Sequence, residues 1–157
     1  MRMARLLPLI LSLFILPAHA TQDAPWGHAH AIEKEYSKQK VVYDVAVKSE
    51  AAVTSVLDRA SYLSQLNGAD PFDSKIVIVL HGNEIPFFAI KNFAQHKALV
   101  TRAQSLSVGG IIEFRMCRLA ARAHGFAPED IQGFITLVPM ADAEIVDLQH
   151  QGYAYMR

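Results

Sequence analysis

Ile76-Val77-Ile78-Val79-Leu80 is an unbroken run of five large apolar side chains. Successive side chains of a strand face opposite sides, so this run leaves no face for water and belongs in the middle of a sheet covered on both faces. Such sheets are built from parallel strands joined by helical crossovers. The rest of the chain has that rhythm. Val41 to Val47 reads as a strand rich in β-branched residues, ended by Lys48-Ser49-Glu50, with Ser49 as a helix N-cap. Val53, Val56, Leu57, Ala60 and Leu63 recur at helical spacing before the terminator Asn67-Gly68, and a loop spans Ala69 to Ser74.

Beyond the central run, His81 to Asn92 forms a connection holding Gly82, Asn83, Pro86 and the exposed-looking pair Phe87-Phe88. A second helix is predicted on Ala98, Leu99, Ala103 and Leu106, closed by Gly109-Gly110, and Ile111 to Met116 is the third strand. Arg118 to His124 is a short helix stopped by Gly125, and Pro128-Glu129-Asp130 marks a turn. Phe134 to Val138 is a fourth strand, Ala141 to Gln151 a last helix with Ile145 and Leu148 inward, and Tyr153 to Met156 a short final strand. This alternation predicts a three-layer α/β/α sandwich with a mainly parallel sheet of about five strands.

The chain begins with a different kind of segment. Arg2 and Arg5 precede the apolar run Leu6 to Leu16, and Ala18-His19-Ala20 offers small residues at both positions read by a signal peptidase. Residues 1–20 are therefore expected to be a secretory signal peptide. The eleven residues of this run span only about 16 Å as helix against a hydrocarbon core of roughly 30 Å, too short for an anchor. The mature chain is expected to leave the membrane, and in a Gram-negative bacterium its destination is the periplasm. Residues 21–40 are polar, carry Pro25 and Gly27, and read as an N-terminal arm ahead of an α/β domain over 41–157.

Charge and cysteine content narrow the chemistry. Of 157 residues, fifteen are Lys or Arg and fifteen Asp or Glu, so no basic field exists to hold a nucleic-acid backbone, and nucleic acid is not an expected partner. Removal of residues 1–20 takes away two arginines and no acid, giving a net charge of −2. The single cysteine excludes an internal disulfide and any multi-cysteine metal site within one chain. His28 and His30 offer two imidazoles without a third ligand set by spacing, so no metal is expected there. No phosphate-binding glycine loop, dinucleotide turn or serine-hydrolase elbow occurs, and no cofactor is expected. Glu129-Asp130 and Asp142/Glu144 fall at helix starts, where acids suit the helix dipole without catalytic duty.

Cys117 is the position of interest. Ligands of open α/β sheets gather beyond the carboxyl ends of the strands, and His81, Cys117 and Pro139 all fall there. A cysteine between a strand and a helix meets free backbone N–H groups, and Arg115 and Arg118 flank it, so thiolate is favoured over thiol. The competing reading is a small buried hydrophobe, since free cysteine is among the most buried residue types. An idle thiol is unusual in an oxidising compartment. His81, before Gly82, is either a proton donor beside the sulfur or a cap on its strand end. His124 lies about 10 Å along the helix from Cys117 and reads as core or rim.

Set together, Lys75-Ile76-Val77-Ile78-Val79-Leu80-His81-Gly82, Ile112-Glu113-Phe114-Arg115-Met116-Cys117, Val138-Pro139 and Leu148-Gln149-His150-Gln151-Gly152-Tyr153-Ala154-Tyr155 resemble the DsrE/DsrF-like sulfur-relay family. The likeness runs from Val41 to the C-terminus, and its closing run is similar to the secreted branch of that family. The resemblance implies a three-layer α/β fold of the DsrEFH kind, assembly as a homo-oligomer (trimer or hexamer), and carriage of sulfur as a persulfide at the position of Cys117. The chain departs from the family's pattern in two places. Arg118-Leu119-Ala120 stand where small polar residues usually follow the cysteine, and Met140-Ala141 where Ser-Gly often follows Val-Pro.

Two functions fit these residues. The first is a secreted sulfur-relay protein, a possible sulfurtransferase, whose Cys117 thiolate takes sulfane sulfur from a donor and passes it to a partner protein thiol. Arg115 and Arg118 would stabilise the anion, with His81 beside it. The second is a non-catalytic oligomeric binding or assembly module, for which Phe87 and Phe88 are contact residues if exposed and a local core under the loop if not.

Overall fold

The computed structural model describes residues 26–70 and 75–157, so the expected signal peptide, the first residues of the arm and most of the Ala69–Ser74 loop lie outside the described residues. Residues 26–39 form no helix or strand. Five strands and four helices follow: β1 (Lys40–Val45), α1 (Glu50–Leu66), β2 (Lys75–Leu80), α2 (Lys97–Ser107), β3 (Ile112–Cys117), α3 (Arg118–Ala123), β4 (Ile135–Val138), α4 (Ala141–His150) and β5 (Ala154–Met156). Among the described residues no helix is long and apolar enough to cross a membrane.

The strands form one sheet in the order β4-β3-β2-β1-β5, every neighbouring pair parallel. β2, with its unbroken apolar run, is the central strand, and Ile76 to Leu80 are all buried. The side chains sort by parity. Val41, Tyr43, Val45, Ile76, Ile78, Leu80, Ile112, Phe114 and Met116 face α1 and α2, which contribute Val53, Leu57, Ala60, Leu99, Val100 and Ala103. Val42, Val77, Val79 and Cys117 face the other way, onto Ala141, Ile145 and Leu148 of α4 and onto Tyr153. Burial of each large aliphatic side chain in these layers contributes about 1.5–3 kcal/mol.

The helices divide between the faces because of the strand order. From β1 to β4 the chain steps one way along the sheet, and right-handed crossovers place α1 and α2 on one face. The connection from β4 to β5 returns across the sheet, so the same handedness puts α4 on the opposite face. The reversal falls between β1 and β5, which is the topological switch point of the sheet.

Local chemistry fixes the helix ends. The Ser49 hydroxyl accepts a hydrogen bond from the Ala52 amide at 3.2 Å, as an N-cap should. α3 and α4 end alike, in Schellman motifs. Gly125 (φ +79°) donates to the Arg122 carbonyl and Phe126 to that of Ala121; Gly152 (φ +88°) donates to Gln149 and Tyr153 to Leu148. The positive φ is why glycine stands at both positions. Each motif turns an aromatic residue, Phe126 or Tyr153, back under its helix.

The long connection after β2 differs from an open loop. Ile85–Phe88 and Ile90–Asn92 wind into two 3-10 turns, Phe88 is fully buried, and Phe87 packs against the core. Phe88 and Phe114 both meet Phe134 edge-on, at ring-centroid distances of 6.5 and 5.5 Å. These aromatics are the local core under the connection rather than a contact surface. In α2 the buried positions are Leu99, Val100 and Ala103, with Ala98 exposed, a shift of the inner stripe by part of a turn.

Candidate functional site at the carboxyl end of the sheet

Cys117 is the last residue of β3 and the N-cap residue of α3. It is 5% exposed and packs in the apolar layer with Val77, Val79, Ala141 and Ile145. The sulfur-bearing residue therefore lies where the ends of β3 and β4 meet the first turn of α4. It is a buried position close to the surface rather than an open cleft.

His81 follows β2, and its backbone amide still donates to the Val45 carbonyl, so the strand geometry continues one residue further. Leu80 and Met116 are paired in the sheet, so His81 and Cys117 both stand one position past that pair. Alternation puts their side chains on the same face of neighbouring strands, whose backbones run about 4.8 Å apart. The imidazole is held from the other side. Its Nε2 lies 2.5 Å from Oδ1 of Asp44, the face-sharing residue of β1. The Tyr155 hydroxyl donates to Oδ2 of the same carboxylate.

Asp44 thus joins His81 to Tyr155 across the switch point between β1 and β5. Burial disfavours its charge, but the hydrogen bonds from Tyr155 and His81, with the nearby charges of His81 and Arg157, outweigh burial and hold its pKa below the ordinary value of 3.8. The same hydrogen bond pushes the Tyr155 phenol up from 10.0, aided by slight desolvation and by the Asp44 charge.

Arg115 stands on the Cys117 face of β3, but its guanidinium is occupied. One nitrogen donates to Glu113 Oε2 at 2.8 Å and the other to Glu144 Oε1 of α4, while Lys75 Nζ reaches Glu113 Oε1 at 3.3 Å. Burial works against the charged form of Arg115, yet these two carboxylates raise its pKa above the ordinary arginine value. Glu113 answers in kind: burial would raise its pKa, and bonds from Arg115 and Lys75 bring it below 4.5. The arginine expected to stabilise a thiolate is instead matched by acids that ground α4 on the sheet. Arg118 begins α3, is exposed, and has no hydrogen-bond or ion-pair partner among the described residues.

Several residues of this end escape notice in the sequence. Asp44 reads as a polar interruption in a strand and Tyr155 as one aromatic of a terminal run, because their meeting depends on β5 returning beside β1. Glu84 is hidden likewise. It is fully buried, and its carboxylate accepts from the Gly82 amide at 2.7 Å and the Val47 amide at 2.8 Å, tying together the turns that follow β1 and β2. No cluster of three or more His, Cys, Asp or Glu side chains able to hold a metal ion occurs among the described residues. His124, which caps α3, is exposed at its rim.

No protein-family model and no curated protein matches the chain. A solved structure is similar to it: a protein of unknown function from Methanobacterium thermoautotrophicum, 21% identical, aligned over 76% of this chain and 99% of that one with a TM-score of 0.58. At that identity the likeness establishes the fold, and the chain is an α/β protein with a five-stranded, all-parallel sheet between helical layers.

Proposed function

We propose that the chain is a secreted sulfur-relay protein of the DsrE kind, carrying sulfane sulfur on Cys117 and handing it to a partner protein thiol. The observation that supports this reading is the position of Cys117, at the carboxyl end of β3 between the first turns of α3 and α4, with His81 one strand away. The exchange is balanced without any cofactor. The Cys117 thiolate attacks the outer sulfur of a donor persulfide, the donor's S–S bond breaks, and the donor leaves as thiolate. Cys117 then holds a persulfide, and an acceptor thiolate takes the outer sulfur by the same step in reverse.

At 5% exposure the sulfur exchanges only when the first turn of α3 or α4 moves aside. Arg118 lies on the moving edge, and His81, oriented by Asp44, supplies or accepts the proton as the thiol changes state. The test is intact mass after incubation of pre-reduced, folded protein with polysulfide. One added sulfur is expected on the wild type and none on Cys117→Ser; a wild type that gains none overturns the reading.

A second reading is favoured by the pairing of Arg115 with Glu113 and Glu144 and by the apolar packing of the thiol. In it the chain is an oligomeric binding or assembly module that keeps the fold without the chemistry. A thiol that stays silent to a small alkylating agent near pH 6 until the protein is denatured supports that reading.

A further inference from the structure

A concavity of about 660 Å³ lies between α3 and the turn that follows it, lined by Arg118, Leu119, Arg122, Phe126, Ala127 and Pro128. Its volume is that of a small-molecule site. Cys117 does not line it, though Arg118, at the edge of the sulfur site proposed above, does. Its walls are of two kinds, one charged and one apolar.

Arg118 and Arg122 stand one turn apart on the same edge of α3, where two like charges repel. Other arginines of the fold have partners: Arg102 binds Asp58, Arg115 binds Glu113 and Glu144, and Arg59 donates to the Arg157 carbonyl at 3.2 Å. Arg118 and Arg122 have none among the described residues. The acids of the adjoining turn do not neutralise them. Asp130 is bent back to accept from the Ala127 amide at 2.9 Å, and Glu129 makes no ion pair among the described residues. A third cation adds to the field, since Lys91 Nζ sits 4.8 Å from the centroid of the Phe126 ring.

The apolar wall is built by the same helix end. The Schellman turn at Gly125 folds Phe126 beneath α3, and Leu119, 56% exposed, stands between the two arginines in sequence. Two unpaired guanidiniums over an apolar floor match a ligand with a negative head and an apolar body.

The geometry points to a binding site in this groove for a small organic anion, a carboxylate or sulfonate on an aromatic or aliphatic body, gripped by Arg118 and Arg122 with its body on Leu119, Phe126 and Pro128.

The test uses 4-phenylbutyrate, its neutral amide and inorganic phosphate as probes of the whole chain, followed by amide NMR shifts and calorimetry. The expected result is saturable binding of phenylbutyrate at roughly millimolar concentration, with shifts centred on residues 118–128. The amide and phosphate should each bind at least about tenfold more weakly, as should phenylbutyrate to a folded Arg118→Gln/Arg122→Gln variant. Equal binding of the amide, equal binding of phosphate, unchanged affinity in the double variant, shifts elsewhere, or no saturation by phenylbutyrate each overturn the proposal. The amide comparison needs only the wild type, so the test holds even if the double variant fails to fold.

Discussion

Asp44 on β1 and His81 at the end of β2 lie 2.5 Å apart, carboxylate to imidazole Nε2, and the Tyr155 hydroxyl closes the group on the other carboxylate oxygen. Three strands that are distant in sequence are bound by one acid. Because the folded pKa of Asp44 is depressed below its ordinary 3.8, the group stabilises the fold fully above pH of about 4, and this contribution is lost as pH falls through the depressed value. Tyr155→Phe removes the hydrogen bond that lowers this pKa most. The expected outcome is a smaller loss of stability between about pH 4 and pH 2 than in the wild type, read from urea unfolding across that range. An unchanged pH slope would contradict the assignment.

Gly82 has no room for a side chain. A Cβ there would lie 2.6 Å from the Ala46 Cα and 2.8 Å from the Glu84 carboxylate that its own amide bonds. Gly82→Ala should therefore cost about 1–3 kcal/mol by overpacking, with further loss if the Glu84 bonds are broken. Chemical denaturation measures it, and a neutral substitution would mean that the two turns yield freely.

The helix ends make a second stability prediction. Gly125 and Gly152 have positive φ with open space around them, so Gly→Ala at either is strained by its backbone alone. Each should cost about 1–2 kcal/mol. The unfolding midpoint should fall, with the denaturant slope unchanged.

Phe88→Ala should cost about 3–5 kcal/mol, the range for emptying a core aromatic site. Phe88 is fully buried and stacked edge-on with Phe134. The corresponding loss for an exposed contact aromatic is near zero, so the measurement separates the two roles cleanly.

Much of the architecture is legible in the residues. The five-residue apolar run of β2 places it centrally, because only a doubly covered strand tolerates it. Ser49 and Gly125 mark helix ends through local hydrogen bonds and backbone conformation, which depend on few neighbours. The site is less legible because it is assembled by strand order. Nothing local in Asp44, Glu84 or Tyr155 tells which partner each will meet. Strand parity places Arg115 on the face of the thiol, and it stands on that face. Parity is silent about Glu144, brought over the sheet by the one crossover that runs backwards. Phe87-Phe88 read as exposed because a Pro-containing connection looks open, whereas its 3-10 turns fold the rings inward.

The central claim is that Cys117, though 5% exposed, exchanges sulfur in the folded state. The direct measurement is intact mass of the native, pre-reduced protein after polysulfide treatment, run beside Cys117→Ser. The account predicts one sulfur atom gained by the wild type under conditions where circular dichroism is unchanged, and none by the variant. A wild type that takes up no sulfur until it is denatured would contradict it.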